Sequence, residues 1–171
     1  MKKLILILTV ALFTFTAKAQ EKYAEGYFKV QKVDESFFEE KILTDSQRNK
    51  DIIAENMQYY NKMIKAYNEK NYKDAIKWAR EAFLGSIGEK IQFKVYQEKF
   101  EYAHELMEDQ KLILFISLME TNGKIDEIQD ILDYSRERLS EDRLTYMKKR
   151  AAKYNETAKK KIEIEKTYDY E

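Results

Sequence analysis

The sequence predicts an all-α chain, built as a stack of antiparallel helical hairpins in which long and short helices alternate. The 171 residues include no proline and only four glycines, so little in the chain interrupts a helix. Apolar residues recur at steps of three and four, which is the spacing of one helix face. In residues 71–83, Ala75, Ala79 and Ala82 share a face and would let a second helix approach closely.

Composition narrows the classes of function. The chain carries 31 basic and 31 acidic residues, and its first nineteen residues hold three lysines and no acid, so the remainder has a net charge of about −3. Nucleic-acid binding requires a basic footprint, and we therefore expect no nucleic-acid partner. The absence of cysteine excludes disulfides, thiolate metal sites and cysteine catalysis.

Residues 1–19 have the pattern of a secretory signal peptide. Lys2 and Lys3 precede an apolar run from residue 4 to about residue 15, and Ala-Lys-Ala follows. The pattern predicts cleavage between Ala19 and Gln20. The alternative is a membrane anchor, but the run is shorter than the roughly 20 residues that span a bilayer. We expect an exported protein, periplasmic or extracellular, without stable membrane insertion after cleavage.

Residues 20–44 form an N-terminal segment that we predict to be partly helical. Tyr23, Tyr27 and Val30 fit one helix face, although Gly26 interrupts the pattern. A capping box beginning at Thr44 then marks the start of a helical, repeat-like domain over residues 45–171.

Five helices are predicted within this domain from apolar stripes and from their start and stop signals. Gly85 is a C-terminal cap, residues 122–124 form a turn, and Ser140 precedes the last helix. The third helix is either continuous or broken at the polar residues 108–110. The predicted spans are 45–70, 72–84, 89–121, 125–138 and 141–166.

The two short helices align with each other. Tyr72 falls on Ile125 and Ala75 falls on Ile128, at an offset of 53 residues. The alignment indicates either an internal duplication or a chance likeness between two helical patterns.

Residues 66–83, AYNEKNYKDAIKWAREAF, resemble the turn and second helix of a tetratricopeptide (TPR) repeat. Asn71 lies in the turn, Tyr72 supplies the aromatic position, and Ala75 and Ala82 supply the two small positions. Residues 122–127 resemble a second such turn, and together the resemblance covers about 55–84 and 110–138. The 53-residue spacing differs from the family's 34, so the stack is expected to be irregular. The resemblance implies a concave groove that binds peptides or protein segments and carries no chemistry of its own.

No residue pattern supports catalysis or a cofactor. His104 is the only histidine, and Glu101-x-x-His104 has the spacing of a di-iron bundle motif. Such a site needs the same motif on a second helix, and a metalloprotease helix needs a second histidine. We therefore expect no enzyme, no metal and no cofactor.

The surplus of tyrosines suggests a binding surface, because tyrosine and tryptophan are favoured where proteins meet. Tyr59, Met63 and Tyr96 on the long helices, with Trp78 nearby, are the predicted lining of the groove. The alternative is that these rings pack inside with their hydroxyls reaching water, and that Trp78 is wedged against the next long helix.

The sequence-based hypothesis is thus an exported interaction module that binds a peptide or protein partner in the cell envelope. A structural or chaperone-like homo-oligomer, paired through the helices at 89–121 and 141–166, is the alternative.

Overall fold

The computed structural model describes residues 21–31, 47–82 and 97–165. Within these ranges the fold is all-α, as predicted: helix is the regular secondary structure found there, and no strand occurs. Five helices occur there, with bounds close to the predicted ones at most ends. They are α1 (Gln47–Asn68), α2 (Tyr72–Glu81), α3 (Gln97–Glu120), α4 (Ile125–Arg136) and α5 (Glu141–Thr157).

Several sequence-based predictions lie outside the described residues. These are the signal peptide with its cleavage site at Ala19 and Gln20, the capping box from Thr44, the helix cap at Gly85, and Tyr96 of the predicted groove.

The two turns between a long and a short helix have the same construction. Lys70 after α1 and Asn122 after α3 adopt left-handed φ angles of 59° and 52°. Each is followed by a residue whose N–H reaches back to the last turn of the helix: Asn71 N to Ala66 O at 2.8 Å, and Gly123 N to Leu118 O at 2.7 Å. This is the Schellman motif, which satisfies the free carbonyls at a helix end.

The helices pack mainly on their neighbours in sequence. Each helix contacts the next one along the chain, from α1 to α5. The long helix α3 also contacts both α1 and α5. Ala75, Ala79 and Ala82 are buried, which confirms that the alanine face lies against other helices. Every residue of 112–119 is buried as well, so this apolar run lies in the core as predicted.

Helix α3 continues through residues 108–110, where a break was one of the two alternatives. The polar side chains turn inward and find partners instead of ending the helix. Glu108 accepts hydrogen bonds from Ser140, the residue before α5, and Gln110 donates to the carbonyls of Ala79 and Ala82 at the end of α2. Both side chains are therefore buried and paired.

Helix α5 ends at Thr157, so the prediction of a helix to residue 166 is wrong. The Asn155 side chain bonds to both main-chain groups of Ile162, each at 2.8 Å, and Ile162 is buried. Gln129 and Arg136 of α4 bond to the main chain of Glu163. Packing against α4 thus replaces further helical turns.

Residues 21–31 form turns and extended chain, although a partly helical segment was predicted over 20–44. Tyr23 and Gly26 have φ angles of 68° and 87°, which a helix does not accommodate. Residues 32–44 lie outside the described ranges. Of the helices described, none combines the length and the hydropathy needed to cross a bilayer.

Candidate functional site

Tyr59 of α1 and Trp78 of α2 form a stacked aromatic pair. Their ring centroids are 5.8 Å apart with 14° between the planes, and both side chains are half-buried. Lys62 Nζ lies 4.4 Å from the Trp78 ring centroid, and Lys77 Nζ lies at the same distance. Tyr59 donates a hydrogen bond from its hydroxyl to Glu55 Oε1 at 2.6 Å. We call these five residues the aromatic patch.

The local sequence explains why the patch is ordered. Glu55, Tyr59 and Lys62 are separated by four and three residues, which places them on one face of α1. The Schellman turn and the buried alanines hold α2 closely against α1, so that Trp78 meets Tyr59. The stacking geometry is therefore set by the hairpin.

Hydrogen bonding raises the pKa of one group in the patch. The bond from the Tyr59 hydroxyl to the Glu55 carboxylate raises the pKa of Tyr59 above its ordinary value. A tyrosine is neutral at neutral pH even at its ordinary pKa of about 10, so the charged residues of the patch are two lysines and one glutamate. Both ammonium groups lie over the Trp78 ring, and that of Lys62 also lies 5.4 Å from the Tyr59 ring centroid.

Of the four predicted partner-binding residues, the structure brings Tyr59 and Trp78 together. Trp78 stacks on the preceding long helix and is partly exposed. Met63 is fully buried in the core, with 0% of its surface exposed, and offers nothing to a partner. Tyr96 lies outside the described residues.

A second exposed aromatic residue lies on α4 and provides a comparison. Tyr134 is 37% exposed, with Arg138 Cζ at 4.3 Å and Lys111 Nζ at 5.1 Å from its ring centroid. It has cations around it but belongs to none of the stacked ring pairs found among the described residues. Tyr134 is therefore a matched control for the aromatic patch.

His104 does not take part in a recognisable catalytic or metal-binding constellation. Its Nδ1 lies 3.8 Å from Glu108 Oε1, but the Glu108 carboxylate is already engaged by Ser140 and by Arg143 at 2.7 Å. Within the ranges that the structure describes, no group of three or more potential ligand residues is placed to hold a metal ion.

Sequence reasoning missed a buried polar cluster between α3 and α5. Arg143 bonds to Glu108 and, at 2.8 Å, to Asp109, which also accepts a hydrogen bond from the Tyr60 hydroxyl at 3.1 Å. Burial raises the pKa of Asp109 above its ordinary value, and the Arg143 charge offsets part of this rise. The polar sequence at 108–110 was the available signal, but nothing in it indicates that Arg143 is the partner.

No family model, no curated protein and no solved structure matches the chain.

Proposed function

We propose that this chain is an exported, non-enzymatic interaction module with TPR-like helical hairpins, and that it binds a protein or peptide partner in the cell envelope through the aromatic patch. The observation that carries the proposal is the stacked pair of Tyr59 and Trp78 on the outside of the first hairpin. Large, rigid aromatic side chains supply binding surface at a low cost in conformational entropy.

The arrangement of the helices supports the TPR-like part of the proposal. Each helix contacts the next, and α1, α3 and α5 also contact one another in sequence, which is how hairpin repeats stack. The two Schellman turns, at Lys70 and Asn122, are 52 residues apart and have the same hydrogen bonds. This similarity favours an internal duplication as the origin of the two hairpins.

The chemistry of the patch indicates what kind of partner fits. Lys62 and Lys77 each place an ammonium group over the Trp78 ring, 4.4 Å from its centroid. An apolar or aromatic side chain packed against the exposed part of the Tyr59–Trp78 pair, with a carboxylate that binds either lysine, would satisfy both the aromatic and the charged groups of the patch. We therefore expect the partner to present an aromatic or aliphatic anchor flanked by acidic residues.

Affinity capture from an envelope fraction of the native host tests this function. We expect the wild-type chain to retain a specific partner. The Tyr59→Ala/Trp78→Ala variant should recover at least ten-fold less of that partner. The Tyr134→Ala variant removes an exposed aromatic residue elsewhere and should behave as wild type. Circular dichroism would establish that all three are folded. Equal recovery by the wild type and the double variant would overturn the assignment to this patch.

A further inference from the structure

Residues 148–161, KKRAAKYNETAKKK, cover the second half of α5 and the chain that follows it, and we call them the basic stretch. The stretch has seven lysine or arginine residues and one acidic residue, Glu156. The rest of the chain after residue 19 has 21 basic and 30 acidic residues. Positive charge is therefore concentrated at the C-terminal end of α5, and the near-zero net charge of the whole chain conceals it.

Four cations of the basic stretch have no acidic partner within the described residues. The first three cations, at 148–150, each form an ion pair with an acid from another part of the chain. The remaining four are exposed and belong to none of the ion pairs found in the described ranges; they are Lys153, Lys159, Lys160 and Lys161. Three of them are consecutive, so their charges repel one another, and a negatively charged partner would relieve that repulsion.

The surroundings of these lysines fit a charged lipid surface better than a protein interface. Protein interfaces have a buried apolar core and are depleted in lysine. In the described part of the chain, the large apolar side chains that are exposed are Tyr27, Val30 and Tyr134, and none of them belongs to the basic stretch. An anionic lipid surface needs no apolar core, because lysines bind it through charge alone.

A single small anion in the neighbouring cavity is a less suitable occupant. The cavity has a volume of about 320 Å³ and lies between the C-terminal ends of α3 and α5, with Arg150 and Lys153 in its lining. Arg150 already pairs with Glu120, which also lines the cavity. An anion there would therefore meet one unpaired cation, whereas an extended anionic surface has room to contact several of the four lysines at once.

We propose that the basic stretch is a membrane-surface site, which binds the phosphate groups of anionic lipids through Lys153 and the lysines at 159–161. Clusters of about four to eight basic residues are typical of such sites. The contact is electrostatic, lies at the lipid headgroups and turns the C-terminal end of α5 toward the membrane. The site shares no residue with the aromatic patch, and the proposal does not depend on the protein partner.

Vesicle sedimentation of the exported protein tests the proposal. Vesicles with about one third phosphatidylglycerol should bind the wild type at least about ten-fold more tightly than vesicles of zwitterionic phosphatidylcholine alone. The Lys159→Gln/Lys160→Gln variant should bind the anionic vesicles about 25-fold more weakly, because each lysine near such a surface contributes about five-fold. Both lysines are exposed, so circular dichroism should show an unchanged fold.

The matched control is Lys22→Gln/Arg138→Gln, which removes two exposed cations at the start of α5. Lys22 pairs with Asp142 in the first turn of that helix, and Arg138 lies just before it. At about 1.5 Å per residue the helix is about 25 Å long, which exceeds two screening lengths of about 10 Å. The control should therefore bind within about two-fold of the wild type.

Salt provides a test that needs no variant. Raising the salt from about 0.05 M to about 0.3 M should weaken binding of the wild type to the anionic vesicles at least about ten-fold, because exposed charges are screened. Equal binding to both kinds of vesicle, or an equal loss in the control variant, would overturn the proposal. So would displacement by inorganic phosphate beyond that by sodium chloride at equal ionic strength, which would indicate a single small anion in the cavity. Binding of polyglutamate without binding of vesicles would replace the lipid surface with an acidic protein and would overturn that assignment.

Discussion

Replacing Arg143 with methionine should destabilise the fold by about 3 kcal/mol, because it leaves two largely buried carboxylates without their counter-charge. Arg143 is 14% exposed at its side chain, and its partners Glu108 and Asp109 are 5% and 15% exposed. Breaking a buried ion pair typically costs about 3–5 kcal/mol. The lower end applies because Glu108 keeps its bonds from Ser140 and Asp109 keeps the Tyr60 hydroxyl.

Urea unfolding followed by circular dichroism measures this loss. With a denaturant dependence of about 2 kcal/mol per molar, the midpoint should fall by about 1.5 M. The matched control is Arg80→Met, which breaks the exposed pair between Arg80 and Glu127 and should cost about 0–1 kcal/mol. If Arg143→Met cost no more than the control, the buried cluster would not have the energetic role that its geometry assigns to it.

Three further predictions concern other parts of the chain. Burial raises the native pKa of Asp109 above its ordinary value of 3.8, so the stability that this residue contributes is complete below pH 3.8 and declines as pH rises through the native pKa. The unfolding free energy of the wild type relative to Asp109→Asn should therefore fall as pH rises above about 4, and a difference that does not change with pH would contradict this. A Cβ at Gly123 would lie 2.8 Å from Leu118 Cδ2 and 3.1 Å from Leu118 O, so Gly123→Ala should lower the free energy of unfolding by about 1–2 kcal/mol. Lys70→Gly should raise the free energy of unfolding by up to about 1 kcal/mol, because glycine adopts the left-handed φ without strain. Thermal unfolding that ranked the two variants in the opposite order would refute this account of the turns. N-terminal sequencing of the exported protein should begin at Gln20, and an intact Met1 would exclude the signal peptide.

The sequence predicted correctly the features that depend on residues close together in the chain, such as helix starts and buried helix faces. The starts of α2 and α4 at Tyr72 and Ile125 follow from turn residues and the onset of helical periodicity. The burial of the alanine face follows from small residues at helical spacing. The meeting of Tyr59 with Trp78 depends on the same short hairpin, which explains why sequence reasoning brought both residues into one site.

Features that depend on distant partners were not predictable in the same way. Asn155 and Ile162 end α5 early because the following chain packs on α4, and a periodic polar–apolar pattern does not reveal such a contact. Nothing in the sequence indicates that the side chains of Asn61 and Asn68 bond to the main chain of Gln31 and Gly26, because these contacts join positions 30 and 42 residues apart.

Met63 illustrates how little a helical stripe says about exposure. It lies one turn from Tyr59 on α1, and the sequence assigned both residues to the groove. In the structure the Tyr59 ring reaches the surface while Met63 is fully enclosed. Successive positions of a stripe are rotated by about 40° for each step of four residues, which is enough to take a side chain from the edge of the core into its centre.

Photo-crosslinking in the native host tests the central claim, that the aromatic patch contacts a protein partner. Lys77 and Arg138 are equivalent sites for a photoreactive residue, because their charged groups lie 4.4 Å from the Trp78 ring and 4.3 Å from the Tyr134 ring. The account predicts that the probe at Lys77 yields a crosslinked protein and that the probe at Arg138 does not. Crosslinking from Arg138 alone, or from neither position, would contradict it.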